Sequence, residues 1–211
     1  MQATSAQAAT VQLDDRTVFR PVIHHVNLKT TRLDEMVDWY SLTVGLEVNF
    51  RNRLAAFLTN DAANHRLALL AVPGLKHDRQ RITRDGMHHL AFEYPSLDEL
   101  LGTYLRLRTR RILPHACLDH GMTMSLYYLD PDGNSVELQA DNYGDWGASS
   151  EFMRADPHFT EDPIGKPVDP GALVAARRAG TNPRQLHERA YAGEFVSNAP
   201  IDLRLPQPPA V

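Results

Sequence analysis

Two short stretches of this chain set histidines side by side in matching surroundings: Ile23-His24-His25-Val26-Asn27-Leu28 and Met87-His88-His89-Leu90-Ala91-Phe92. Each has the alternation of a short strand, in which neighbouring side chains point to opposite faces. Val26 and Leu28 share a face with His24, and Leu90 and Phe92 share one with His88, so those apolar positions are expected to pack under helices. His25 and His89 then project to the other face. The same alternation over residues 134–140 turns Val136 and Leu138 inward and Glu137 outward, beside Ser135 and Gln139. Two imidazoles and one carboxylate would meet on one concave surface. That donor set suits Fe(II), and three ligands on one face of an octahedron leave three positions open for chemistry.

The elements that must position these residues come in two similar runs. After the first histidine pair, Leu33, Met36, Val37 and Tyr40 fall at helical spacing, and Gly45 stands where a helix ends in a left-handed cap. Strand-like runs follow near residues 47–50, 55–59 and 66–72, and residues 73–86 are a polar connector. The order then restarts. After the second pair, Ser96 with Glu99 three residues on is a capping box, and Leu97, Leu100, Leu101, Tyr104 and Leu107 form the apolar stripe of a second helix. Three more strands are expected near residues 112–116, 123–129 and 135–140, with Asp130-Pro131-Asp132-Gly133-Asn134 as the turn between the last two. The fold class is therefore α+β: two βαβββ modules, residues 21–72 and 86–141, forming one cupped, incomplete barrel with the histidines and Glu137 inside. Residues 1–20 read as a loose arm. Residues 142–211 read as a C-terminal helical extension, with one helix opened at Asp169-Pro170 and closed by Gly180, and another opened at Asn182-Pro183. This extension is expected to cover the modules or a second subunit.

Composition narrows the classes. In 211 residues, 43% are hydrophobic and 23% charged, which are globular values. A net charge of −4 offers no basic footprint for nucleic acid. No apolar run reaches the length of a membrane helix, and the first 20 residues lack the basic start and apolar core of a secretory signal. The single cysteine, Cys117, excludes an internal disulfide and reads as a packed residue of a cytoplasmic protein.

The segments "HVNL" followed by "DWYSLTVGL", then "NHRLALL", "HHLAFEY" and "DHGMTMSLYYLDPDGNSVELQ" carry a resemblance. On them, residues 23–140 resemble the vicinal oxygen chelate superfamily, and within it the single-domain type I extradiol ring-cleaving dioxygenases. The resemblance implies His25, His89 and Glu137 as ligands of Fe(II), with Mn(II) the alternative. It implies His65 as the acid and base beside the dioxygen position, and His120 and Tyr127 as hydrogen-bond partners of the substrate oxygens. Leu118 stands where a small or β-branched residue is expected, and His115 is the substitute for His120. The implied reaction is cleavage by O2 of a catechol such as biphenyl-2,3-diol next to its diol, in a homo-oligomer that binds neither nucleic acid nor membrane. The rivals are a glyoxalase I-like isomerase, a fosfomycin-type transferase and a ligand-sequestering protein on the same scaffold. The isomerase needs a carboxylate in the run from His65 to Val72, which has none; the transferase needs a cation-binding loop that is missing; the sequestering proteins lack the three ligands.

Overall fold

The computed structural model describes residues 16–78, 80–197 and 200–206. Its first module runs β1 (Val26–Lys29), α1 (Leu33–Val44), β2 (Glu47–Arg51), β3 (Ala55–Thr59) and β4 (Leu67–Leu70). The second repeats the order as β5 (His89–Tyr94), α2 (Leu97–Thr109), β6 (Ala116–Asp119), β7 (Thr123–Leu129) and β8 (Ser135–Asp141). The expected α+β fold of two βαβββ units is present. Each module is an open sheet, in strand order β1-β4-β3-β2 and β5-β8-β7-β6, and the second gains a two-residue edge strand, β9 (Lys166–Pro167), on β6. In both, the first and last strands pair in parallel, which sets the first strand of each module beside its last.

The helices form where the apolar stripes predict them. In α1 the buried positions include Leu33, Met36, Val37 and Tyr40, and Gly45 closes the helix at φ 75°. Glycine reaches that left-handed conformation without the clash a Cβ would bring. Ser96 caps α2 by accepting the Glu99 N–H, and its buried face carries all five predicted residues. Both helices pack into one core shared by the modules, with Leu28, Leu69, Leu126, Val136 and Leu138 supplied by the strands beneath. Tyr40 ties the modules further: its hydroxyl donates to Asp130 Oδ2 at 3.1 Å in the turn between β7 and β8.

Three expectations need correction. The strand placed near residues 112–116 begins at Ala116 instead. The residues before it are occupied in leaving α2: Arg111 takes a left-handed φ of 60°, and the Ile112 N–H is spent on Leu107 C=O. Of the two histidine pairs read as strand residues, only His89 lies in its strand; His24, His25 and His88 stand just ahead of theirs and are exposed. The extension also holds more structure than its prolines advertise. Besides α5 (Pro170–Arg178) and α6 (Pro183–Tyr191), which form as expected behind Asp169 and Asn182 caps, it contains α3 (Trp146–Ala155) and α4 (Pro157–Glu161), capped by Asp145 and Asp156.

The extension packs on the second module. Leu173, Leu186 and Ala190 are fully buried in the shared core, and Val168 N–H bonds to Cys117 C=O. Cys117 is buried with it, its thiol pushed up to about 12 by burial and therefore unreactive. Of the arm expected over residues 1–20, the first fifteen lie outside the described residues. No helix among the described residues is long and apolar enough to cross a membrane.

Candidate metal and catalytic site

The register of the second sheet assembles a polar row on the face turned away from the helices. Tyr127 pairs with Glu137 on β8 and with Ala116 on β6, while His89 stands opposite Ser135. Alternation then places His89, Glu137, Tyr127, Leu118 and His120 on one face. The side chains meet. His89 Nε2 lies 3.0 Å from Glu137 Oε2, the Tyr127 hydroxyl lies 2.8 Å from Glu137 Oε1, and His120 Nε2 lies 2.8 Å from the same hydroxyl.

The protons along this row are constrained by its ends. The Leu203 carbonyl can only accept, so His88 Nε2–H donates to it at 2.8 Å. In a neutral His88 the other nitrogen, Nδ1, must then accept from His89 Nδ1–H, 2.8 Å away. That leaves His89 Nε2 with a lone pair facing a carboxylate oxygen at 3.0 Å. Two acceptors at that distance require a cation or a proton between them. Burial works against the Glu137 charge, but a proton held on the His89 side of that contact, with hydrogen bonds from Ser125 and Tyr127, outweighs it and holds its pKa below the ordinary carboxylate value. Burial, then the Glu137 charge, raises the Tyr127 phenol far above its usual range, so it keeps its proton. His120 is pulled down by burial, against the opposing pull of Glu137 and of a hydrogen bond to the Ile164 carbonyl. The Tyr127 hydroxyl donates to Glu137 Oε1, and a protonated His120 Nε2 donates to the hydroxyl oxygen.

A cavity of about 300 Å³ opens on this row, lined by His89, His120, Tyr127, Leu118, Ile164, Leu203 and others. Residues 200–206 form one wall. Ile201 and Leu203 pack on Ala116, Leu118 and Tyr127, and His115 Nδ1–H donates to Asp202 C=O at 2.6 Å. The extension also fixes the loop bearing His120. Gly165 lies so close that a Cβ there would meet Asp119 O at 2.1 Å, and His187 Nδ1 pairs with the fully buried Asp119 carboxylate at 2.8 Å.

The first module holds a separate group. His24 and His25 bring their Nδ1 atoms to 3.0 Å, and the His65 ring lies 4.3 Å from that of His25 between centroids. Among the described residues these three are the set of metal-type side chains whose ligand atoms all lie within 4.8 Å of one another. His65 stacks on Phe57, gives Nδ1 to Asn64 Oδ1 at 2.7 Å, and has its pKa lowered by burial and then by the His25 and His24 rings.

Of the residues singled out from sequence, the structure brings together His89, Glu137, Tyr127 and His120. It keeps His25 and His65 as a pair of their own. His120, rather than His115, reaches the Tyr127 hydroxyl; His115 is engaged by Asp202 C=O and Ser135 Oγ. Sequence reasoning missed Ser125, the Leu203–His88 anchor and the wall of residues 200–206. The wall had a legible signal, since Ile201, Leu203 and Leu205 alternate with Asp202 and Arg204 as a strand would.

Comparison with known proteins shows the family. The family model for the glyoxalase/bleomycin resistance protein/dioxygenase superfamily matches residues 22–138. Biphenyl-2,3-diol 1,2-dioxygenase 3 of Rhodococcus globerulus is 40% identical over 172 residues, covering 82% of this chain and 90% of that protein. Biphenyl-2,3-diol 1,2-dioxygenase 2 of the same organism is 36% identical over 180 residues, covering 85% and 94%. Among solved structures, a domain of this superfamily from Frankia sp. EAN1pec superposes with a TM-score of 0.49 at 21% identity, covering 58% of this chain and 99% of that one.

Proposed function

Because the chain belongs to the glyoxalase/bleomycin resistance protein/dioxygenase superfamily, we propose that it is an extradiol dioxygenase, which opens a catechol-type ring beside its two hydroxyls and incorporates both atoms of O2. The observation that carries this reading is the row from the half-buried His89 through the buried Glu137 and Tyr127 to His120, open to an apolar cavity.

The row suits a divalent ion. His89 Nε2 and Glu137 Oε2 stand at the spacing of adjacent ligands with bonds of about 2.0–2.2 Å, and the cation or proton that their facing lone pairs require can be a metal ion. His89 and Glu137 would hold Fe(II), with Mn(II) the alternative; the family resemblance adds His25 as their third ligand, although in this structure His25 lies with His24 and His65. When bound, the metal supplies a template for diol and dioxygen and raises the acidity of the diol. The protein's own groups do the rest. Tyr127 and His120 would offer hydrogen bonds to a diol oxygen, and His120, with its Nε2 on the Tyr127 hydroxyl, would take or return a proton there. His65, whose ring lies beside that of His25, would act as acid and base toward dioxygen.

Substrate choice follows from the cavity wall. Leu118, Ile164, Leu203 and Leu205 offer an apolar surface with no hydrogen-bonding side chain among them, which favours a catechol carrying an apolar substituent such as an aryl ring. A cytoplasmic homo-oligomer without nucleic-acid or membrane contacts completes the reading.

The test is anaerobic loading with Fe(II) followed by oxygen uptake on a panel of catechols that includes 2,3-dihydroxybiphenyl. A yellow ring-opened product with one O2 consumed per diol is expected. Bound iron with no oxygen uptake on any member of the panel overturns the reaction class.

A further inference from the structure

The three-histidine group of the first module is not accounted for by the proposed reaction. That reaction uses His25 and His65 in different roles and has no use for His24. Yet these imidazoles bring ligand-type nitrogens within 4.8 Å of one another at the protein surface. Ligand bonds of about 2.0–2.1 Å place neighbouring nitrogens on one ion roughly 2.9–3.4 Å apart, and the His24 and His25 Nδ1 atoms are already at 3.0 Å. Without a metal a single proton must lie between them, since two lone pairs would otherwise face each other. The third member is prepared as well. His65 gives its Nδ1–H to Asn64 Oδ1, which leaves Nε2 as its free donor and fixes the ring in the way outer hydrogen bonds orient metal-binding histidines.

The backbone holds the group in place. Arg66, the residue after His65, donates Nη1–H to the His24 carbonyl at 3.0 Å, and Val26 N–H bonds to Arg66 C=O at 3.0 Å. Arg66 is itself pinned by Asp61 at 2.9 Å. The segments carrying the three histidines are thus cross-linked ahead of β1 and β4. His24 and His25 are exposed, so an ion reaches them directly from solvent.

We propose that His24, His25 and His65 form a second metal site, for zinc-class divalent ions, and that it competes with the iron-holding set through the shared His25. Three neutral imidazoles without a carboxylate suit Zn(II), Cu(II), Ni(II) and Co(II), and all of these bind nitrogen donors more tightly than Fe(II) does. An ion held there withdraws His25 from His89 and Glu137. The site itself stands on the geometry alone; its inhibitory effect rests on the proposed dioxygenase reading.

Two measurements on the untagged full-length chain separate these claims. The first is Co(II) titration of Glu137→Ala, which lacks the carboxylate of the iron set, compared with Glu137→Ala/His24→Ala, with circular dichroism confirming both folds. Glu137→Ala is expected to bind one equivalent with the intense visible absorption of four-coordinate cobalt, and the added His24→Ala to weaken binding at least about tenfold. Equal binding by the two variants overturns the site. Two tight equivalents on the unaltered chain overturn the sharing of His25. The second measurement is Zn(II) inhibition of Fe(II)-supported oxygen uptake, each protein scored against its own zinc-free rate. His24→Ala is expected to need about tenfold more Zn(II) for half inhibition, and equal sensitivity overturns the competition. A chain that turns over no catechol fails the dioxygenase reading and leaves the cobalt result to decide the site.

Discussion

The two modules carry the same histidine pair at the start of the same kind of strand and put it in opposite environments. In the second module the pair is anchored. His88 is fixed by Leu203 C=O, His89 turns its Nε2 to a buried carboxylate, and residues 200–206 wall the face. In the first module, His24 and His25 face one another in the open, and the adjoining sheet face exposes Phe50 at 47%. The difference comes from what lies over each sheet. The C-terminal extension covers the second and adds β9 to it, so Ser125 and Glu137 are buried on a face that the same alternation leaves partly bare in the first. Duplication supplies matched donors, and a segment outside the duplication decides which copy becomes a low-dielectric site, where hydrogen bonds and charges count for more.

The sharpest way to break this comparison is to remove the buried carboxylate. Glu137→Ala is expected to abolish iron binding and lower turnover by about 10³-fold or more, several kcal/mol of barrier, while melting cooperatively. Iron content and oxygen uptake measured together check it, and retained iron would move the site elsewhere. On the exposed side, His65→Ala is expected to bind iron and catechol yet turn over about 10²–10⁴-fold more slowly, as befits loss of an acid–base group. Single-turnover kinetics at saturating catechol read this directly, and a rate equal to the parent's would reduce His65 to a packing partner of Phe57.

The covering segment should show itself in selectivity. Leu203→Ala is expected to lower kcat/KM for 2,3-dihydroxybiphenyl by roughly tenfold and to affect unsubstituted catechol less, since one apolar contact is worth about 1–3 kcal/mol. Equal losses on both substrates would mean that residues 200–206 hold the fold and do not sense the substituent. The smallest effect is on stability against pH. His115 and His120 titrate below the ordinary imidazole value, chiefly because they are buried. The unfolded chain takes up protons near pH 6.5, whereas the folded chain does so only at lower pH. Stability is therefore fully present above about pH 6.5 and is lost as pH falls through the folded values. The melting temperature should decline over that window, and His115→Gln should flatten part of the slope. An unchanged slope in the variant would remove His115 from this account.

Much of the scaffold could be read along the chain because its signals are local. The stripe from Leu33 to Tyr40, the Ser96 cap, Gly45 and the Asp169 and Asn182 caps each depend on residues within a few positions, and all stand where expected. Failures came where a local signal was overruled or weak, as when the exit of α2 took the residues assigned to the start of β6, or when α3 and α4 formed in a helical extension for which only the two later helices were expected.

The site divides along the same line. Period-two alternation is a property of a single strand, so the sequence by itself determined that Glu137 leaves the face of Val136 and Leu138 and that His89 leaves the face of Leu90 and Phe92. The 3.0 Å between His89 and Glu137 depended on parallel pairing of β5 with β8, strands separated by a helix and two further strands. The tautomer of His89 was decided farther away still, by a carbonyl 115 residues from His88. Tertiary structure alone made those choices, because a hydrogen-bond partner from a distant segment leaves no periodic mark near the residue it constrains.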